Sequence, residues 1–103
     1  MKFLALTIET KAGEQEQHDI KVAKCEDHQD PQHVGDAVAK EQFGGFWDEC
    51  CSGFNTDYNL WHNCIDQQEI TEEEYNVLSK YVDCSIFTDE ELAKVQKEME
   101  ESE

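Results

Sequence analysis

The most regular pattern in the sequence is KFLALTIETKAGEQEQHDIKVAKC, residues 2–25. Its first part alternates, so that Leu4, Leu6 and Ile8 point to one side and polar residues such as Thr7 point to the other. Alternation with a period of two is typical of a β-strand with one buried face. We therefore predict a half-buried strand at the start of the chain.

The second part of the stretch predicts a partner for this strand. Gly13 can adopt the positive φ that a tight turn requires. Alternation then resumes through Ile20 and Val22. Two alternating runs separated by a short turn predict a β-hairpin.

A helix is predicted directly after the hairpin. Asp30 is a favourable N-cap, and Pro31 suits the first helical position. Gly44 and Gly45 then end the helix. Its apolar inner stripe comprises Val34, Ala37, Val38 and Phe43.

Two more strands are expected next, rich in the aromatic residues that strands favour. They are FWDECCSG and YNLWHNCID, which begin at Phe46 and Tyr58 and are joined around GFNTD. In the second of these, one face carries Leu60, His62 and Cys64.

Two capping boxes then open two helices, one at Thr71 and Glu74 and the other at Thr88 and Glu91. The inner stripe of the first helix is Tyr75, Leu78, Tyr81 and Val82, and that of the second is Leu92, Val95 and Met99. The resulting order, β-β-α-β-β-α-α, predicts one α+β domain over residues 1–103. About four antiparallel strands would form its sheet, with two or three helices packed on one face.

The charge excludes several partners. Twenty-five acidic residues face eight lysines, with no arginine, for a net charge of −17. Such a chain repels nucleic acid and anionic membranes, so a macromolecular partner should present a basic surface. Seventeen of the acids, but three of the lysines, lie after residue 40. The odd count of five cysteines is unlike a disulfide framework, and no run approaches a membrane span, so a cytoplasmic location is expected.

No motif indicates an enzyme, and no cofactor is expected. A zinc-stabilised module is an alternative, with Cys25, His28, His62 and Cys64 as candidate ligands. These residues lack the paired spacing of zinc knuckles. The cysteines would otherwise be small buried residues.

The predicted binding site is the acidic surface of the last two helices and the second pair of strands, with aromatic anchors beside it. Its residues are Asp48, Glu49, Asp57, Asp66, Glu69, Glu72, Glu73, Asp89, Glu90, Glu98, Glu101, Trp47, Tyr58 and Trp61.

The acidic stretches EITEEEY and TDEELAKVQKEMEESE, in a short arginine-free chain, resemble the small acidic phage-encoded anti-defence proteins. This class includes DNA mimics and anti-CRISPR proteins. The resemblance implies non-enzymatic inhibition of a basic nucleic-acid-handling protein, such as a CRISPR effector or another defence nuclease. A second interpretation is a phage or bacterial structural or assembly protein whose acidity serves solubility. The sequence leaves the partner's identity and the oligomeric state open.

Overall fold

The computed structural model describes residues 1–48, 53–57, 60–82 and 84–101, without the side chains of Phe43, Thr56 and Asp57. The elements within these ranges are β1 Lys2–Ala12, β2 Gln15–Cys25, α1 Pro31–Phe43, β3 Phe46–Asp48, β4 Gly53–Asp57, β5 Leu60–Ile70, α2 Glu72–Leu78, β6 Cys84–Ile86 and α3 Asp89–Glu101. The strands form one sheet in the order β3-β4-β5-β1-β2-β6, which confirms the α+β class. None of these helices is both long enough and apolar enough to cross a membrane.

The predicted hairpin of β1 and β2 lies near the centre of the sheet. The two strands pair along their whole length, from Lys2 opposite Cys25 to Ala12 opposite Gln15. Gly13 adopts a φ of 63° in the turn, which is the conformation that glycine permits. On its other side β1 pairs antiparallel with β5. The hairpin therefore organises the sheet on both sides.

The main core lies between the sheet and α1. Leu4, Leu6 and Ile8 are each 1% exposed or less, and they belong to one core cluster with Val34, Ala37 and Val38 of α1. The predicted fourth member of the stripe, Phe43, lies outside the described side chains. Asp30 caps this helix as predicted, because its side chain accepts a hydrogen bond from the main-chain N–H of Gln32. The alternating apolar residues of β1 are thus the ones buried in the core, as predicted.

Helices α1 and α3 pack side by side and run in the same direction. Just before α1, Gln29 donates a hydrogen bond to Asp89, the first residue of α3. Near the end of α1, Lys40 forms an ion pair with Glu98, which lies near the end of α3. Leu92 is the buried residue of α3, and Val95 and Met99 pack against the core beside it. Both helices therefore cover the same face of the sheet.

The third helix does not share that face, which corrects the prediction that the helices pack on one side. The ring of Tyr75 in α2 lies 5.1 Å from the ring of Phe3. Phe3 precedes Leu4, and neighbouring strand residues point to opposite faces. Helix α2 therefore covers one end of the opposite face.

The prediction of about four strands is wrong, because the described residues form six. GFNTD was expected to join two strands, but it forms β4, where Phe54 is fully buried and packs on Trp47. Strand β6 was not predicted. Tyr81 is 82% exposed instead of lying on the inner face of a helix, because α2 ends at Leu78.

Helix α1 approaches β5 closely at Gly35. A Cβ atom added there would lie 2.6 Å from the Sγ atom and 3.1 Å from the Cβ atom of Cys64. Because real Cβ atoms are not found this close to other heavy atoms, the helix would have to shift. Gly35 thus sets the distance between α1 and the sheet.

We expect Gly35→Ala to lower the free energy of unfolding by about 1–2 kcal/mol. Overpacking costs roughly 1–3 kcal/mol, and the better helix propensity of alanine offsets up to about 1 kcal/mol. Urea unfolding would measure the change. In a Cys64→Ala background the loss should be smaller, because the nearest atom is gone. An equal loss in both backgrounds would contradict this account of the contact.

Candidate functional site: an acidic edge of the sheet

Strands β2, β5 and β6 all finish at the same end of the sheet. Lys2, at the start of β1, is opposite Cys25, and Phe3 is opposite Ile70. Ile86 of the parallel strand β6 is level with Lys24. Helices α1, α2 and α3 follow these three strands, so all three helices begin at this end.

The helix starts and the strand ends before them bring ten exposed carboxylates to one end of the molecule. We call this surface the acidic edge. It consists of Glu26, Asp27, Asp30, Glu69, Glu72, Glu73, Glu74, Asp89, Glu90 and Glu91.

Three acids of the acidic edge have local structural roles. Asp30 caps α1. Glu74 closes the capping box of α2 by accepting a hydrogen bond from the N–H of Thr71, and Glu91 does the same for Thr88 in α3. Both boxes were predicted from the sequence, and both are confirmed. The other seven acids make none of these capping bonds.

Hydrogen bonds lower the pKa of two members of the acidic edge. The amino-terminal amine lies 2.9 Å from Asp27, and this contact lowers the pKa of the Asp27 carboxyl. His28 Nε2 lies 2.9 Å from both carboxylate oxygens of Asp89, and Gln29 donates to the same group. These bonds, with that to His28 first, lower the pKa of Asp89.

Three positive groups near the acidic edge are engaged within the fold. The amino-terminal amine is paired with Asp27. Lys2 donates to the main-chain carbonyl of Gln29 at 3.0 Å. The Nζ atom of Lys24 lies 5.2 Å from the ring centroid of Tyr75, within the range of a cation–π contact. These cations are used within the fold, so most of the negative charge faces solvent.

Five of the predicted binding residues belong to the acidic edge, namely Glu69, Glu72, Glu73, Asp89 and Glu90. The sequence did not assign Glu26, Asp27 or Asp30 to the site, although the helix-start signal at Asp30 and Pro31 marked their position. The strand register places these three acids at the same end of the sheet as the acids that begin α2 and α3.

The remaining predicted acids lie elsewhere or are not described. Asp66 is opposite Thr7 in mid-sheet, and Asp48 ends β3. The Asp57 side chain, Glu49 and Tyr58 lie outside the described residues. The predicted site is therefore not one surface.

Glu98 and Glu101, at the far end of α3, make ion pairs within the protein. Glu98 lies 2.7 Å from Lys40 of α1, and Glu101 lies 3.9 Å from Lys97 of its own helix. The first pair joins the packed helices α1 and α3. Lys40 also donates a hydrogen bond to the main-chain carbonyl of Gly45, just after α1. Glu98 thus has a structural role that its position in the sequence did not indicate.

The two predicted aromatic anchors that the structure describes, Trp47 and Trp61, are half-buried. Trp47 packs edge-on against Phe54, with ring centroids 5.1 Å apart, and Trp61 is also partly covered. Larger exposed aromatic surface occurs at Phe46 and Tyr81, which are 81% and 82% exposed. The Nζ atom of Lys40 lies 5.9 Å from the ring centroid of Phe46.

The candidate zinc ligands do not meet. Cys25 is opposite Lys2, and His62 is opposite Thr10, so eight residues of β1 separate them. At roughly 3.3 Å per residue, they lie about 26 Å apart. His28 contacts Asp89, and Cys64 is buried. The strand register therefore rules out one ion shared by these four residues.

No protein-family model, curated protein or solved structure matches this chain. The function of the acidic edge is therefore argued from its own residues, their charges and their contacts.

One carboxylate differs from the acidic edge because it lies between helices. Asp36 of α1 is 5% exposed, and its Oδ2 atom accepts a 2.8 Å hydrogen bond from Gln96 of α3. Burial raises the pKa of Asp36, and the bond from Gln96 lowers it by less. The Asp36 carboxyl therefore stays protonated to a higher pH in the folded protein than in the unfolded chain, where its pKa has the ordinary value of 3.8. The stability this provides is complete below pH 3.8 and is lost as pH rises through the folded pKa.

Asp36→Asn should therefore raise the free energy of unfolding at pH 7, with little gain near pH 3. The amide oxygen can still accept from Gln96, and no buried charge remains. Urea unfolding at both pH values measures the difference. Asp66→Asn, at an exposed acid, is the matched control and should show no such pH-dependent gain. A loss of stability at pH 7 would show that ionised Asp36 contributes favourably.

Proposed function

We propose that this chain is a non-enzymatic inhibitor that binds a basic nucleic-acid-handling protein, such as a CRISPR effector or another defence nuclease. The acidic edge would occupy the channel or groove meant for nucleic acid. The encounter would take place in the cytoplasm. The observation that carries the proposal is the gathering of ten carboxylates at one end of the sheet, where three strands end and three helices begin.

The fixed geometry of the acidic edge supports this function. Its acids lie on helix starts and strand ends, so the charges are held in place before the partner arrives. Binding to fixed charges costs less conformational entropy than binding to charges on a disordered tail. The contacts that lower the pKa of Asp27 and of Asp89 also hold these two carboxylates in position.

Electrostatic attraction would determine how fast this complex forms. A concentrated charge raises the association rate of an oppositely charged partner by about 10- to 1000-fold, and salt suppresses the effect. Nucleic acid would compete, because both ligands neutralise the same lysines and arginines. Salt sensitivity and competition by DNA are therefore the two signatures of this interaction.

A second candidate function is suggested by the exposed apolar residues. Phe46, Tyr81 and Ile86 are 81%, 82% and 66% exposed, and large apolar residues in such positions can anchor a protein interface. Phe46 belongs to β3 and Ile86 to β6, which are the two edge strands of the sheet, so each marks a separate surface. A structural or assembly partner held at either edge would stay bound at high salt, because apolar contacts are not screened.

Neutralising Glu72, Glu73 and Glu90 together by substitution with Gln should abolish capture of the basic partner. These three acids are exposed and lie outside the helix-capping bonds described above. We would use tagged protein as bait in bacterial lysates at low and high salt and identify bound proteins by mass spectrometry. Captured nucleases would then be titrated for DNA binding, with expected stoichiometric inhibition by the unaltered protein.

The matched control neutralises Glu14, Asp66 and Glu100, which are exposed acids away from the acidic edge. Both variants change the net charge by the same amount, so the control should still bind. Equal loss in both variants would mean that net charge alone drives binding. Capture that persists at high salt and is lost in Phe46→Ser or Tyr81→Ser would support the apolar interface instead.

A further inference from the structure

A set of potential metal ligands lies at the opposite end of the central hairpin. Glu9, Glu16 and His18 each offer one ligand atom, and these atoms all lie within 4.8 Å of one another. Among the described residues, no other group of three acids, histidines or cysteines comes this close. We propose that these three side chains form a site for a divalent transition-metal ion of the zinc type.

The strand register holds the three residues on one face of the sheet. Glu9 is directly opposite His18, so their side chains emerge side by side. Glu16 precedes His18 by two positions on β2, and residues two apart on a strand share a face. The arrangement is thus set by the backbone of the hairpin.

The distances suit a small ion. The Nε2 atom of His18 lies 3.1 Å from the Oε2 atom of Glu9. Two ligands bound about 2.0–2.1 Å from a tetrahedral zinc ion lie roughly 3.3 Å apart. A rotation of the exposed Glu16 side chain would bring the third ligand in, and solvent would supply the fourth.

The ligand types select the class of metal. Calcium and magnesium prefer oxygen ligands alone, whereas imidazole with carboxylates suits zinc, nickel or copper. The imidazole of His18 therefore distinguishes this site from a general attraction of cations to an acidic protein. Glu9 is the most sheltered of the set, since its side chain is 16% exposed, against 51% for His18.

Lys11 works against the site. Its Nζ atom lies 3.4 Å from the Oε1 atom of Glu9, and the residue is opposite Glu16 on the neighbouring strand. This ammonium repels an incoming cation and competes for the Glu9 carboxylate. Removing the Lys11 ammonium should therefore improve metal binding at this site.

Isothermal titration of the whole protein with zinc chloride tests the proposal. We expect one ion per chain at this site, with weaker binding in His18→Ala and tighter binding in Lys11→Met. Loss of an indirect partner of a metal site typically weakens affinity about 10- to 100-fold, and loss of a direct ligand should cost at least as much. His33→Ala is the matched control, because this histidine lies 3.7 Å from the carboxylate of Asp30 and is not part of the three-ligand group.

Three results would overturn the site: no zinc binding, unchanged affinity in His18→Ala, or equal weakening in His33→Ala. The second result would assign the ion to the cysteines or to diffuse counterion attraction. Titration with magnesium adds a further check, because magnesium binding that equals zinc binding would remove the role of the imidazole. Circular dichroism of each variant would verify the fold. Because His18 is exposed, we expect His18→Ala to fold normally.

Discussion

The pairing of β1 with β2 on one side and β5 on the other determines both the core and the position of the acidic edge. Because β1 is antiparallel to both β2 and β5, these two strands finish where β1 begins. A slip of one residue would turn Leu4, Leu6 and Ile8 out of the core, so their burial fixes the register. The same register determines where the following helices start. Core packing and the position of the acidic edge are thus consequences of one arrangement.

The charge at this end of the sheet exceeds what helix stability uses. A helix start carries roughly half of a positive elementary charge, so three starts offer about +1.5 in total. Ten carboxylates face this partial charge, and the capping bonds account for three of them. Repulsion among the remainder costs stability, because like charges near one another oppose the compact state. This cost is what the proposed basic partner would offset on binding.

Local signals in the sequence predicted local structure well. The hairpin, the Asp30 cap and the two capping boxes each depend on residues a few positions apart, and the structure confirms them. The failures concern contacts distant in sequence. GFNTD has the composition of a turn, but burial of Phe54 against Trp47 makes it a strand. Strand β6 has three residues, and its pairing with β2 could not be read from them.

The candidate site follows the same division. The sequence identified the acids near Thr71 and Thr88 but grouped them with Glu98, which the structure pairs with Lys40. What joins the two helix starts to the acids that follow β2 is strand pairing between residues far apart in the chain. The excess of charge could therefore be predicted, while its arrangement could not.

The two proposed sites lie at opposite ends of β1, which makes them physically independent. Glu9 and Phe3 are six residues apart on this strand, or about 20 Å at roughly 3.3 Å per residue. At physiological ionic strength the screening length is about 8 Å, so an ion bound at the turn end scarcely changes the potential at the acidic edge. Salt that weakens binding of a basic partner would leave a coordinated metal ion largely in place, because ligand bonds are short and direct. The acidic edge attracts through its summed field, whereas the hairpin site selects through the geometry of three atoms. The failure of either proposal would therefore leave the other standing.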